Sequence, residues 1–285
     1  MPKYIIEKEH SGITVKEYLK DIKGYSSRSM NKIDIFLNKK KVKIDKIVKY
    51  RNVLNVVEKE KETNIIAKKL ELDIIYEDEN LILINKPPFL LTHPTKKKVD
   101  ITLANGLLNY FNEKNINSVP RFYNRLDMNT SGIIIAAKTG FGQAFLQNKG
   151  EVKKYYKAFV KGIIKEQEII IEDKIGISED GIKRIIDPNG QDAKTKVKII
   201  KTYEKNNITQ VELELFTGRT HQIRVHLSNI GHPIIGDELY GGEYKDIKRQ
   251  LLHSYKVIYI DPRLNQKKEF EIELFSDMKL FEKSL

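Results

Sequence analysis

Asn124-Arg125-Leu126-Asp127-Met128-Asn129-Thr130-Ser131-Gly132-Ile133-Ile134-Ile135-Ala136-Ala137 is a polar loop that runs straight into an apolar strand. Working outward from it, strand patterns recur at Leu72 to Tyr76, Leu81 to Asn85, Tyr156 to Lys161, Val197 to Tyr203 and Thr209 to Leu215, with turn signals between them. Helical periodicity is sparser, chiefly at Ile101 to Asn112, Gly142 to Gln147 and Gln222 to Ile230. Many strands with few helices argue an α+β fold with a mostly antiparallel central sheet, since a doubly wound parallel sheet would need more crossover helices.

In the opening stretch a carboxylate, Asp127, has Arg125 behind it and Thr130, Ser131 and Gly132 ahead, in a loop at the edge of the core where reactive groups are often held. Taken alone, the loop reads as a turn with an Asx-type cap. A second segment changes that weighing. Thr217-Gly218-Arg219-Thr220-His221-Gln222-Ile223-Arg224 enters a helix on which His221, Arg224 and Ser228 share one stripe, while Ile223, Leu227 and Ile230 form the buried one. Arg224 can then point a guanidinium at a carboxylate. Three histidines in this region invite a zinc reading, but His221 and His226 lie roughly 140° apart on a helix, so no metal site is expected. Ile74 to Pro88 reads as a hairpin whose second strand is stopped by Pro87 and Pro88, a structural feature when taken alone.

At 285 residues, 40% hydrophobic and 32% charged, the chain suits a large domain and a small one, and no apolar run approaches the roughly 18 residues of a membrane span. No export signal opens it, so a cytoplasmic location is expected. The absence of Cys excludes disulfides, thiolate zinc sites and cysteine nucleophiles. Of the formal charge of +12, residues 1–62 carry +7, which points to a polyanionic partner and to the front of the chain as its contact. There, Thr14-Val15-Lys16-Glu17 has capping-box spacing and opens a helix to Lys23 with an apolar face of Val15, Tyr18, Leu19 and Ile22. A second helix is expected over Arg28 to Leu37, with Met30, Ile33, Phe36 and Leu37 facing inward, followed by a basic strand from Asn38 to Asp45. The charged stretch Glu58 to Asn64 sets a domain boundary, giving units 1–62 and 63–285.

Helix, Ser-Arg turn, helix and basic strand resemble the small alpha-L RNA-binding domain of a ribosomal protein and of many RNA-modifying enzymes. The chain departs from that pattern at Ile44-Asp45-Lys46, where Val-Asn-Gly is usual, and at Arg51-Asn52, where Gly-Asp is usual. Further on, Glu77-Asp78-Glu79-Asn80 with Asn85-Lys86-Pro87, Arg125-Leu126-Asp127-x-x-Thr130-Ser131-Gly132, Lys154-x-Tyr156-x-Ala158-x-Val160-x-Gly162 and Gly218-Arg219-Thr220-His221-Gln222-Ile223-Arg224-Val225-His226 follow one another. Four ordered motifs with correct internal spacing are similar to the RluA-type RNA pseudouridine synthases. The resemblance implies an RNA-binding cleft across the sheet and an isomerase that converts specific uridines of ribosomal or transfer RNA to pseudouridine; that reaction needs no redox cofactor, and a monomer is the default expectation. It implies Asp127 as the nucleophile, Tyr156 as the ring that packs on the target base and assists proton removal, and Arg224 as the partner of the Asp. It places Arg125 at the flipped nucleotide, and Arg219, His221 and Lys154 on the substrate. Asn124 stands where the family usually has His. The rival reading is a non-catalytic RNA-binding or ribosome-assembly protein on the same fold; a zinc nucleobase deaminase lacks the Cys ligands it would need.

Overall fold

The computed structural model describes residues 3–25, 27–31, 33–58, 63–95 and 101–285. Its centre is a ten-stranded sheet. From one edge the strands run Glu168–Ile171, Thr195–Tyr203, Ile208–Leu215, Lys153–Lys161, Leu252–Ile260, Ser131–Ala137, Leu81–Lys86 and Ile74–Glu77. Lys267–Glu271 adds to Leu252–Ile260, and Arg121–Phe122 to Ser131–Ala137. Every pairing is antiparallel except one, where Leu252–Ile260 and Ser131–Ala137 run parallel. The α+β expectation therefore holds, with predominantly antiparallel pairing.

All seven residues of Ser131–Ala137 are buried, because both faces of the sheet are covered at this strand. The two-residue period divides its side chains. Ile134 and Ala136 join Ile82, Leu107 and Phe111 in one core, while Ile133 and Ile135 join Leu83, Leu146 and Tyr259 in the other. The covering helices are Leu103–Glu113, with its apolar stripe in the first core, and Gly140–Lys149, whose Leu146 reaches the second. The strand Leu252–Ile260 had no clear signal in the sequence. Its interior residues include His253 and Ser254, which are fully buried and interrupt the apolar alternation that marks a strand.

The front of the chain forms a separate four-stranded sheet in the order Lys3–Ile5, Val53–Glu58, Ile33–Leu37, Lys40–Val42. The capping box is present, with Thr14 Oγ1 accepting from Glu17 N at 3.1 Å and Glu17 Oε2 accepting from Thr14 N at 2.7 Å. The helix it opens is α only over Val15–Glu17 and continues as a π-helix over Tyr18–Ile22. That wider turn leaves Ile22 41% exposed, while Val15, Tyr18 and Leu19 are buried as expected. The second helix is corrected: it covers only Ser27–Met30, and Ile33–Leu37 is a strand. β-branched Ile33 and Ile35 alternate with Asp34 and Phe36 in the burial pattern of a half-covered strand, and long-range pairing to Val53–Glu58 overrides the helical spacing. The basic strand shortens to Lys40–Val42, because Asn38 and Lys39 take positive φ values of 48° and 69° and make the hairpin turn.

The two sheets share no strand, and residues 59–62, at the expected boundary, lie outside the described residues. Phe141 and Phe145 of the Gly140–Lys149 helix close the small unit's core, and Tyr25 stacks on Phe141 with centroids 4.8 Å apart. Among the described residues no helix is long and apolar enough to cross a membrane.

Candidate active site

The parallel junction assembles the site. Tyr156 on Lys153–Lys161 lies opposite Ser254, and Ser254 lies opposite Gly132, so three strands place the tyrosine and the start of Ser131–Ala137 in one row. Asp127 sits in the loop just before that strand. Gly132 is required there: its φ is +115°, and a Cβ would lie 2.2 Å from the Ser254 carbonyl oxygen.

The Asp127 loop closes through its backbone, with Thr130 N donating to Asp127 O at 3.1 Å. The carboxylate is thus not used as an Asx cap and points at Arg224 instead, whose Nη1 donates to Asp127 Oδ2 at 3.0 Å. Arg224 reaches it from the helix Gln222–Asn229. Its other edge makes a bidentate pair with Asp237, Nε to Oδ2 at 2.6 Å and Nη2 to Oδ1 at 2.8 Å. Both Arg224 and Asp237 are buried. Burial alone would lower the Arg224 pKa, but Asp237 and Asp127 raise it overall, so the guanidinium is a permanent charge aimed by one carboxylate at another.

Six residues expected at the site, Arg125, Asp127, Tyr156, Arg219, His221 and Arg224, line one open pocket. Leu215, Ile223 and Leu252 supply apolar wall of the kind a flat base can pack against. Tyr156 is buried within the row of strands; burial raises its pKa above the ordinary phenol value, and Asp127 adds to the shift, so it is neutral near pH 7. Arg125 is exposed at the rim, and Arg219 is exposed with its Nε donating to Asp192 O at 2.9 Å. Lys154 is outside the pocket lining. It lies beside the entering turn, where a Cβ on Gly218 would be 3.6 Å from its Nζ, and burial lowers its pKa.

Several readings change in detail. His221 is not on the helix face but just ahead of it, in the left-handed region at φ 55°. Gln222 through Leu227 are all buried, so burial covers both faces over the first turns of the helix, while Ser228 and Ile230 are half-buried. His226 and His232 are held in structural hydrogen bonds, to Thr195 Oγ1 and Asp173 O at 3.0 Å and to Lys161 O at 2.9 Å. Asn124 is buried, accepting from Ile135 N at 2.8 Å and donating to Ile133 O at 3.2 Å, so it fastens the strand rather than facing the pocket.

Two residues at the site were not singled out from the sequence. Asp237 was visible only as part of Gly236-Asp237, and nothing local ties it to Arg224. Lys86 is fully buried, and its Nζ donates to Pro87 O, Leu90 O and Met128 O at 2.7, 2.8 and 2.9 Å. It pins the residue that follows Asp127. Burial, with the Arg249 guanidinium, pushes the Lys86 pKa down to about 7, and Asp127 opposes the shift.

Residues 80–229 match the family model described as RNA pseudouridylate synthase. An uncharacterized RNA pseudouridine synthase of Bacillus subtilis is 36% identical over 277 residues, which is 93% of this chain and 97% of that one. The chain belongs to the RNA pseudouridylate synthase family. Ribosomal large subunit pseudouridine synthase D of Haemophilus influenzae is 32% identical over 82% of this chain and 76% of its own length. Among solved structures, human RNA pseudouridylate synthase domain containing 1 aligns with a TM-score of 0.59 and 25% identity, covering 73% of this chain and 86% of the human one. As a member of this family the protein is an isomerase acting on RNA, and every residue lining the pocket except Leu252 lies within the matched region.

Proposed function

We propose that this synthase modifies uridines of ribosomal RNA, with Asp127 as the nucleophile on an extruded uridine. The observation that carries the assignment of Asp127 is its carboxylate, held in the pocket by an arginine that a second, buried carboxylate orients. The reaction breaks the bond from the sugar to N1, turns the uracil, joins the sugar to C5 and moves the C5 proton, so it needs a nucleophile and proton transfer but no oxidant. Asp127 supplies the nucleophile. Tyr156 is the ring on which the base rests. As a neutral phenol it stacks and hydrogen-bonds, and it serves proton removal only as a weak base. Extrusion costs a few kcal/mol of lost stacking, which stacking on Tyr156 and the insertion of Arg125 offset in part. Arg219 and Lys154 serve the flanking nucleotide.

Ribosomal RNA is favoured by the likeness to the Haemophilus influenzae ribosomal large subunit pseudouridine synthase. The front unit, described over residues 3–25, 27–31 and 33–58, holds RNA by exposed lysines such as Lys39, Lys40 and Lys43, in line with the positive charge of residues 1–62. Pseudouridine mapping of total RNA from cells lacking the gene, complemented with wild type or Asp127→Asn, tests the reading. Ribosomal sites that vanish on deletion and return only with wild type are the expected result. Sites restored equally by Asp127→Asn would overturn the nucleophile, and sites confined to transfer RNA would overturn the substrate.

A further inference from the structure

His221 is the second polar group that approaches Asp127: its Nε2 lies 3.8 Å from Oδ2, the oxygen that Arg224 already holds. That distance is long for a hydrogen bond, although such contacts tighten when substrate fills a site. On the other edge of the ring, Nδ1 lies 2.9 Å from the hydroxyl of Tyr240. Tyr240 is buried, and its oxygen also accepts from the backbone N–H of Arg184 at 2.9 Å. A buried phenol that accepts from a backbone amide needs an acceptor for its own proton, and among the described residues the one its hydroxyl meets is His221 Nδ1. The direction of the chain follows: Arg184 N–H to Tyr240 O, Tyr240 O–H to His221 Nδ1. With Nδ1 engaged as an acceptor, a neutral ring must carry its hydrogen on Nε2, the nitrogen that faces Asp127.

We propose that Tyr240 is a positioning residue that keeps His221 neutral and in the Nε2–H form, so that it donates to Asp127 Oδ2 without becoming a second cation there. This rests on Asp127 being the nucleophile. Arg224 and His221 both address Oδ2, and among the described residues Oδ1 carries no hydrogen bond, which leaves Oδ1 as the attacking oxygen. An unrestrained imidazole next to a carboxylate tends to protonate and form an ion pair. Here, protonating Nδ1 would leave the buried Tyr240 hydroxyl proton without its acceptor. The charged groups around the ring are Asp127 and Asp237, which favour the cation, and Arg224 and Arg184, which oppose it; burial is the largest influence and also opposes it, so the net direction is down. The geometry explains the left-handed backbone of His221 as well. At φ 55° the residue leaves the helix register and sets its ring between Tyr240 and Asp127, with centroids 5.7 Å from Tyr240 in an edge-on arrangement.

The test is histidine-selective 15N NMR of the full-length, RNA-free protein, with the His221 signals identified by their loss in His221→Asn. Wild type is expected to show a neutral Nε2–H imidazole at about pH 6.5, where an ordinary histidine is half protonated. In Tyr240→Phe, which keeps the ring and removes the hydroxyl, the Nδ1–H and imidazolium forms of His221 are expected to gain population at that pH relative to wild type, although burial still opposes the cation. The turnover of Tyr240→Phe should then fall several-fold below wild type, most at the acid end of the profile near pH 6, with KM little changed. Wild-type His221 found as an imidazolium or as the Nδ1–H form would overturn the proposal, and so would a Tyr240→Phe whose titration and pH profile match wild type. The tautomer is read without catalysis, whereas the role of Asp127 is read from Asp127→Asn, so the two can fail separately.

Discussion

Arg224 donates three hydrogen bonds to two carboxylates, and only one of the two faces the pocket. Asp237 therefore serves as the fixed end of a lever, and its removal leaves a buried guanidinium with half its partners. Taking one member from a buried ion pair costs about 3–5 kcal/mol, so Asp237→Ala should be destabilised by that order in urea unfolding and should lose turnover, because Arg224 is no longer aimed. A variant as stable and as active as wild type would show that Asp127 alone orients Arg224. Lys86 acts on the same loop by another route. In Lys86→Met the carbonyls of Pro87, Leu90 and Met128 lose their common donor; only the bond to Leu90 is buried, and an unsatisfied buried acceptor costs about 1–3 kcal/mol. A loss on the order of 1–3 kcal/mol is expected, with activity lost as the Asp127 loop slackens; thermal unfolding and turnover of that variant check it. At this scale the sharing of one pocket by Asp127, Tyr156 and Arg224 was legible through the family resemblance that their ordered motifs carry. Asp237 and Tyr240 were not, because their partners are set by the fold rather than by neighbours in sequence.

Among the elements, long apolar strands were the easiest to read and their ends were displaced by only a few residues, as at Leu81–Lys86 and Ile208–Leu215. Elements failed where side chains obeyed a distant partner: Leu252–Ile260 hides polar residues in the core, and Ile33–Leu37 has helical spacing yet pairs as a strand on both edges. The parallel pairing of Ser131–Ala137 with Leu252–Ile260 is the element-level feature on which the site depends. It contains only the two residue pairs His253 with Ser131 and Ser254 with Gly132, and Ser131 Oγ adds a buried hydrogen bond to His253 Nδ1 at 2.9 Å. Gly132→Ala should break it, since the new methyl would meet Ser254 O at 2.2 Å and the backbone would stay at φ +115°. A destabilisation on the order of 4 kcal/mol is expected, enough to leave most of the protein aggregated on expression. Soluble Gly132→Ala with wild-type melting would mean that the strands can part by more than this packing allows.

Across the whole molecule, the proposed catalytic pocket lies on the large sheet, and the basic front unit docks on the Gly140–Lys149 helix through Tyr25, Phe141 and Phe145. An RNA held by both is gripped by charge at one end and read by shape at the other, and the two contributions separate by their salt dependence. Lys39, Lys40 and Lys43 are exposed around the hairpin that joins Ile33–Leu37 to Lys40–Val42, where contact with phosphates disturbs no packing. Each phosphate neutralised on single-stranded RNA contributes about 0.7 to the slope of log K against log salt. Replacing all three by Gln should therefore lower that slope by about 2 if each holds one phosphate. Because none of these side chains lines the pocket, turnover at saturating RNA should stay at the wild-type value while KM rises. Filter binding across a salt series, run beside turnover, decides it. An unchanged slope would mean that the lysines are a solvated surface and that the large sheet holds the RNA alone. A reduced turnover at saturation would mean instead that the front unit sets which uridine enters the pocket, since misplaced RNA binds without presenting its target to Asp127.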